Sequence, residues 1–204
     1  MDSDILLYIQ EYLRNDVLTP IMILLTHTGD YGILCIAVAV ILILIRKTRC
    51  LGHVVAFSIA IESIITNVLL KNLVARIRPY EVIEELELLI EEQPDFSFPS
   101  GHAGVTFAMA GGILFAYMYG IKGFGKSKRN TIIVLFVMIY ALLLAFSRLF
   151  VGVHYPTDVL GGMFLGLLSG CMGYYLEKKV NTAWEGRSSK ASKSFKDSKE
   201  PAAD

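Results

Sequence analysis

The stretch "TIIVLFVMIYALLLAFSRLFVGVHYPTD" (residues 131–158) passes directly from hydrocarbon to Arg148, His154 and Asp158. A membrane-spanning helix needs about 20 mostly apolar residues, and 131–149 comes close to that. Each charged side chain costs a few kcal/mol at the bilayer centre. The polar trio therefore belongs at a membrane edge or in a watery cavity, and the chain before it is a transmembrane helix.

Four further stretches have the same character: 31–46, 51–70, 102–120 and 157–176. A sixth, 4–28, is interrupted by "RND" at Arg14 to Asp16 and by Pro20. It reads either as an interfacial amphipathic helix with a broken membrane helix after it, or as a crossing. Taken as a crossing, it completes an all-α, multi-pass bundle of six helices. Composition agrees: 54% of the 204 residues are hydrophobic and the mean hydropathy is +0.53, too apolar for an ordinary soluble domain. Nineteen basic residues balance nineteen acidic ones, so no basic excess points to a nucleic-acid partner, and none is expected. Cys35, Cys50 and Cys171 form no CxxC and read as small apolar fillers. "MDSDILLYIQEY" lacks a basic start, so no cleavable signal peptide is expected.

Lysine and arginine in short loops mark the cytoplasmic side. "RKTR" (46–49), "KGFGKSKR" (122–129) and "EKK" (177–179) all fall at one end of the expected helices. That end, with the C-terminus, is expected in the cytoplasm of a cell-membrane protein. The 72–101 loop and the 148–157 turn then share the extracytoplasmic face. Residues 1–180 form the membrane domain, and the polar, Ser/Lys-rich 181–204 reads as a disordered cytoplasmic tail.

Three clusters meet at the extracytoplasmic end. "KNLVARIRP" supplies Lys71 and Arg78; "PSGH" supplies Ser100, Gly101 and His102 at a helix start; the opening stretch supplies Arg148, His154 and Asp158. Guanidinium groups match phosphate oxygens bidentately and lysine adds a point charge. Free N–H groups at a helix start favour an anion, and Gly101 lets that backbone approach closely. Ser100 either caps the helix or donates to the phosphate. Asp158 on one ring nitrogen of His154 leaves the other as a nucleophile. His102 is placed to protonate the leaving oxygen. Together these describe phosphoryl transfer through a phosphohistidine.

The pattern K-x6-RP … PSGH … SR-x5-H-x3-D resembles the three-part signature of the type 2 phosphatidic acid phosphatase superfamily, with no departure within the motifs. Pro79, Pro99 and Ser147 complete it, and the resemblance covers about residues 31–176. It is nearest to the membrane lipid phosphatase branch, the phosphatidylglycerophosphatase B-like and undecaprenyl-diphosphatase-like proteins. It implies His154 as nucleophile, Asp158 as its partner, His102 as leaving-group acid, and phosphate binding by Lys71, Arg78, Ser100, Gly101 and Arg148. It implies no metal or other cofactor. The motifs read the phosphate and not the lipid tail, so phosphatidylglycerophosphate, phosphatidic acid and undecaprenyl diphosphate stay open as substrates. A soluble phosphate ester is the alternative substrate. A non-catalytic protein that binds or moves anionic lipids is the rival of another class, which the two histidines disfavour.

Other polar residues have plainer readings. Arg76 matches no signature position and is expected to anchor at lipid headgroups. His27 and Asp30 read as cap or loop residues, and His53 as interfacial. Glu62, mid-helix, reads as polar glue with Thr66 one turn away. "EVIEELELLIEEQPD" (81–95) reads as a short amphipathic surface helix or a solvated connector.

Overall fold

The computed structural model describes residues 2–197, with side chains as far as Arg187. Among these the chain is helical, with no strand beyond one isolated bridge between Ile121 and Phe124. The elements are α1 (Asp2–Leu13), α2 (Leu18–His27), α3 (Ile33–Leu44), α4 (Arg49–Ser63), α5 (Lys71–Val74), α6 (Pro79–Val82), α7 (Gly101–Tyr119), α8 (Lys128–Phe150) and α9 (Pro156–Asp197). A π-helical stretch, Ile64–Leu70, joins α4 to α5.

Four helical runs are long and apolar enough to cross a membrane: Arg49–Val82, Gly101–Tyr119, Lys128–Phe150 and Pro156–Arg187. Helices α2 and α3, bent by 46° at the break between them, make a fifth if counted as one span. The protein is a multi-pass membrane protein. The single crossing expected over 4–28 is not present as such, because α1 and α2 are separate helices. Asp2 accepts hydrogen bonds from Arg76 (3.0 Å) and Thr157 (2.5 Å). At the other end of α1, Arg14 donates to the carbonyls of Phe150 and Glu87, both at 2.9 Å. A helix of that length spans about 18 Å. With both ends fastened beside the start of α9 and the end of α8, α1 lies across that end of the bundle.

Close packing of α7 on α9 sets the frame. Gly162, Gly166 and Gly170 recur every fourth residue on α9. A Cβ on them would come within 2.4 Å of the Ser100 carbonyl, 2.4 Å of the Gly104 carbonyl and 2.5 Å of the Gly112 nitrogen respectively. Small residues at this spacing let two helix backbones touch, the usual substitute for a hydrophobic driving force in lipid. The main core forms where α3, α4 and α7 meet, around Val54, Val55, Met109 and Ile113. Ile132, Phe136 and Ile139 of α8 face outward, as lipid-exposed side chains do.

The basic loops gather at the opposite end. Gly123 packs against the Lys47 carbonyl, Lys122 pairs with Glu185 at 3.7 Å, and His53 lies 3.4 Å from Glu177. Helix α9 runs past residue 180, where the sequence reading ends the membrane domain. Thr182 donates to the Lys178 carbonyl at 2.9 Å, so 181–187 extend the helix where the sequence reads disorder. Residues 198–204 of that expected tail lie outside the described residues.

Gly166→Val should drive α7 from α9 and destabilise the detergent-solubilised protein by at least ~2 kcal/mol, in the range of core overpacking. Gly186→Ala, with nothing within 4 Å of the added carbon, should leave the protein unchanged or slightly firmer. Thermal unfolding of the two variants side by side checks both.

Candidate active site

Lys71 begins α5, directly after the π-helical stretch, an irregularity often found at functional sites. Ala75 then takes a left-handed conformation (φ 47°) and ends the helix. The chain leaves it extended, and Pro79 at the first position of α6 fixes Arg78 just outside that turn. Lys71 and Arg78 are thereby brought onto one carboxylate. Asp95 pairs with Lys71, and Arg78 donates to it from Nη2 at 2.5 Å. Arg78 also donates to the carbonyls of Asp95 and Val153, both at 2.8 Å.

Ser100 precedes α7 as its N-cap residue, but its hydroxyl makes no cap bond. It is buried without a partner, while its N–H donates to the Asp158 carbonyl at 3.0 Å. That bond ties the start of α7 to the start of α9. Gly101 faces the cations: a Cβ there would lie 3.8 Å from the Lys71 ammonium. Arg148, in the last turn of α8, donates from Nη1 to the Thr26 hydroxyl at 2.6 Å, and its Nε is buried without a partner. Two buried donors are thus left open, each costing about 1–3 kcal/mol when unmet. Ser147, by contrast, is occupied structurally, donating to the Leu144 carbonyl at 2.6 Å.

His154 sits in the turn before α9, with Nδ1 3.6 Å from Asp158 Oδ2. Ser97 lies between them, donating to Asp158 at 2.5 Å and standing 3.5 Å from His154 Nδ1. The Tyr155 N–H reaches the same Asp158 oxygen at 2.9 Å. Nδ1 therefore points to the rear and Nε2 is left for the cavity. Lys71, Arg78, Gly101, His102, Arg148 and His154 line one cavity of about 530 Å³, with Asp158 behind His154. Burial lowers the His154 pKa to about 3; Asp158 opposes the shift, and Arg78 and Arg148 add to it. Burial pushes Asp95 upward, but its bonds to Lys71 and Arg78 outweigh that and hold it below the ordinary carboxylate range. Among the described residues no group of three or more His, Cys, Asp or Glu side chains is gathered to hold a metal ion.

A model of the PAP2 superfamily matches residues 51–182. The chain belongs to that superfamily. It is 32% identical over 159 residues to undecaprenyl-diphosphatase BcrC of Bacillus subtilis, covering 77% of this chain and 74% of that protein. It is 30% identical over 149 residues to the undecaprenyl-diphosphatase of Sulfolobus acidocaldarius, covering 73% and 66%. The crystal structure of a transmembrane PAP2 type phosphatidylglycerolphosphate phosphatase from Bacillus subtilis superposes with a TM-score of 0.68 at 27% identity, over 89% of this chain and 85% of that one. These relatives are named as phosphatases, and with its long apolar helices this chain is a membrane phosphatase.

Several residues of the site carried no sequence signal. Asp95 closes the acidic 81–95 segment, whose carboxylates would repel an anionic substrate if they faced it; this one does face the cations. The segment is no amphipathic helix. Only Pro79–Val82 is helical, and beyond it Ile83 and Leu86 are packed against Leu6 and Tyr155. Arg76 is no headgroup anchor: it donates to Asp158 Oδ1 at 2.5 Å and lies 3.9 Å from the centre of the Tyr155 ring. Asp30 is more than a loop residue, since it bonds His102 Nε2 at 3.1 Å. Glu62 accepts from Thr66 at 2.6 Å, as the sequence suggests.

The lowered pKa of His154 makes its sign of pH dependence definite. Its contribution to folding is complete above the unfolded value of about 6.5 and is lost as pH falls towards 3. In the substrate-free protein the imidazole should stay neutral from pH 5 to 8. Histidine ¹⁵N shifts, assigned by comparison with His154→Gln, check this; a His154 midpoint near 6.5 contradicts it.

Proposed function

We propose that the protein removes the terminal phosphate of a lipid phosphate or diphosphate through a phosphohistidine on His154. One observation carries the reading: side chains from three separate segments, Lys71 and Arg78, His102, and Arg148 with His154, line one cavity, with Asp158 set behind the nucleophile. The charge on phosphate is met by Lys71, Arg78 and Arg148, the Ser100 hydroxyl and the free N–H groups opening α7, and Asp95 gives way to it. His154 Nε2 attacks phosphorus, the bond to the leaving oxygen breaks, and His102 protonates that oxygen. Water then attacks phosphorus, the phosphorus–nitrogen bond breaks, neutral His102 takes the proton from the water, and phosphate leaves with His154 restored. Asp158 holds the tautomer and stabilises the cationic ring, as in other Asp–His pairs.

Substrate class rests on the relatives, named for undecaprenyl diphosphate and phosphatidylglycerolphosphate, and on the site's place at one end of an apolar bundle. Ile90, Val105 and the exposed Tyr31 give the cavity an apolar flank on which a lipid tail can lie. Phosphatidic acid belongs to the same chemical class. Orientation follows the basic loops: Lys47, Lys122 and Lys178 gather opposite the site, which puts that end and the C-terminus in the cytoplasm and the site at the extracytoplasmic face. On this reading α2 with α3 makes one of five crossings. The sixth helix is α1, lying at the membrane surface across that end of the bundle.

His154→Ala should abolish both turnover and the acid-labile phosphate trapped on the protein from ³²P-labelled lipid phosphate. His102→Ala should still trap label while losing about 10²–10⁴ in rate on an alkyl ester. Both assays are run in excess EDTA, where wild-type activity should persist because the clamping charges belong to the protein. Label trapped by His154→Ala and absent from His102→Ala reverses the two roles. Activity on soluble esters alone redirects the substrate assignment.

A further inference from the structure

The site contains a second aspartate–histidine pair besides His154 and Asp158. Asp30 uses one oxygen for each of two histidines: Oδ1 lies 3.1 Å from His102 Nε2 and Oδ2 lies 2.8 Å from His27 Nδ1. The three form a row leading out of the cavity, with side-chain exposure rising from 16% at His102 to 38% at Asp30 and 52% at His27. The turn that carries Asp30 is shaped to the ring. Tyr31 and Gly32 both take left-handed conformations (φ 53° and 65°), a costly choice for tyrosine. A Cβ on Gly29 would come within 2.7 Å of His102 Cδ2, so the backbone there lies directly against the imidazole.

We propose that Asp30 is a positioning residue for the leaving-group acid: it fixes the His102 ring through Nε2, stabilises its imidazolium, and leaves Nδ1 to carry the proton that is transferred. The inference rests on the reading of His102 as that acid. The surroundings supply the physical need. Arg148 from α8 and Lys71 from α5 both act on His102, and Arg78 lines the same cavity. A ring that must be positive in the reactive state stands among cations, and a carboxylate in direct contact offsets them. Asp95 is engaged with Lys71 and Arg78, and His154 has Asp158 and Ser97, so the carboxylate bonded to His102 is Asp30. His27 holds the second oxygen of Asp30 and sets the angle of the first. Proton balance is kept within the cycle. Imidazolium Nδ1–H protonates the leaving oxygen, the neutral ring recovers a proton from the water that hydrolyses the phosphohistidine, and Asp30 stays ionised throughout.

The test uses full-length protein and two probes, dodecyl phosphate and 4-nitrophenyl phosphate, whose leaving groups differ in their need for a proton. Asp30→Asn should lower kcat/KM on the alkyl ester about 30-fold and on the aryl ester less than about 3-fold, a part of the usual general-acid contribution. In the His102→Ala background the same change should cost no more than about 2-fold on either probe. The basic limb of the alkyl-ester pH profile should move to lower pH in Asp30→Asn, because an imidazolium without its carboxylate loses its proton sooner. Asp30→Glu, one methylene longer but still anionic, should recover part of the alkyl-ester rate. It carries the test if the asparagine variant does not fold, its own loss then being confined to the alkyl ester. Equal losses on both probes, or losses that add to those of His102→Ala, overturn the role of Asp30 while leaving His102 in place. If His102→Ala itself fails to discriminate the probes, the reading of His102 as the acid falls, and the role of Asp30 falls with it.

Discussion

Lys71, Arg78 and Arg148 are nearly out of contact with solvent at one end of an apolar bundle, and the surrounding structure is arranged around that fact. An unpaired charge taken from water costs several kcal/mol even after relaxation. Asp95 answers for two of the cations. Among the described residues Arg148 bonds only the Thr26 hydroxyl, and its Nε, like the Ser100 hydroxyl, is buried without a partner. A site built this way is matched to a ligand carrying more than one negative charge and several acceptor oxygens. Phosphate has both, and a single carboxylate from the protein's own loop is a weaker stand-in for it.

The second constraint is steric. Glycines on α9 admit the α7 backbone, so the two helix starts lie side by side and the Ser100 N–H reaches the Asp158 carbonyl. The helix that opens with Gly101 and His102 and the turn that holds His154 are thus held by backbone contact, which tolerates little drift. The supporting carboxylates come from elsewhere: Asp2 from the N-terminal helix, Asp30 from the break between α2 and α3, Asp95 from the 83–100 connection. Helices carry Lys71, His102 and Arg148, short connections carry Arg78 and His154, and the carboxylates Asp30 and Asp95 reach them from segments distant in sequence.

This division explains what the sequence disclosed. The spans were legible because apolar length is the signal for a membrane crossing, and α7, α8 and the first part of α9 match it closely. The eight proposed site residues were legible because their types and spacings fit phosphate chemistry and resemble a known signature. The N-terminal region was not, since Arg14 reads as an interruption of a helix and only the fold shows it capping α8 at the Phe150 carbonyl. Asp95 was hidden among glutamates that face solvent, and Arg76 looked like a headgroup anchor two residues from the arginine that matters. Ser97 and Asp30 act across large sequence separations, which no local spacing records. The glycine repeat on α9 was visible in the sequence, but its meaning depends on which helix lies opposite.

One anion site in front of His154, lined by Lys71 and Arg78 from one segment and Arg148 from another, underlies the proposed chemistry. A structure determined with vanadate, a pentacoordinate phosphate mimic, tests it most directly. Vanadium is expected within bonding distance of His154 Nε2, its oxygens on Lys71, Arg78, Arg148 and Ser100, and Asp95 displaced from the two cations it now holds. Vanadate bound away from His154, or bound with Asp95 still paired to Lys71 and Arg78, contradicts it.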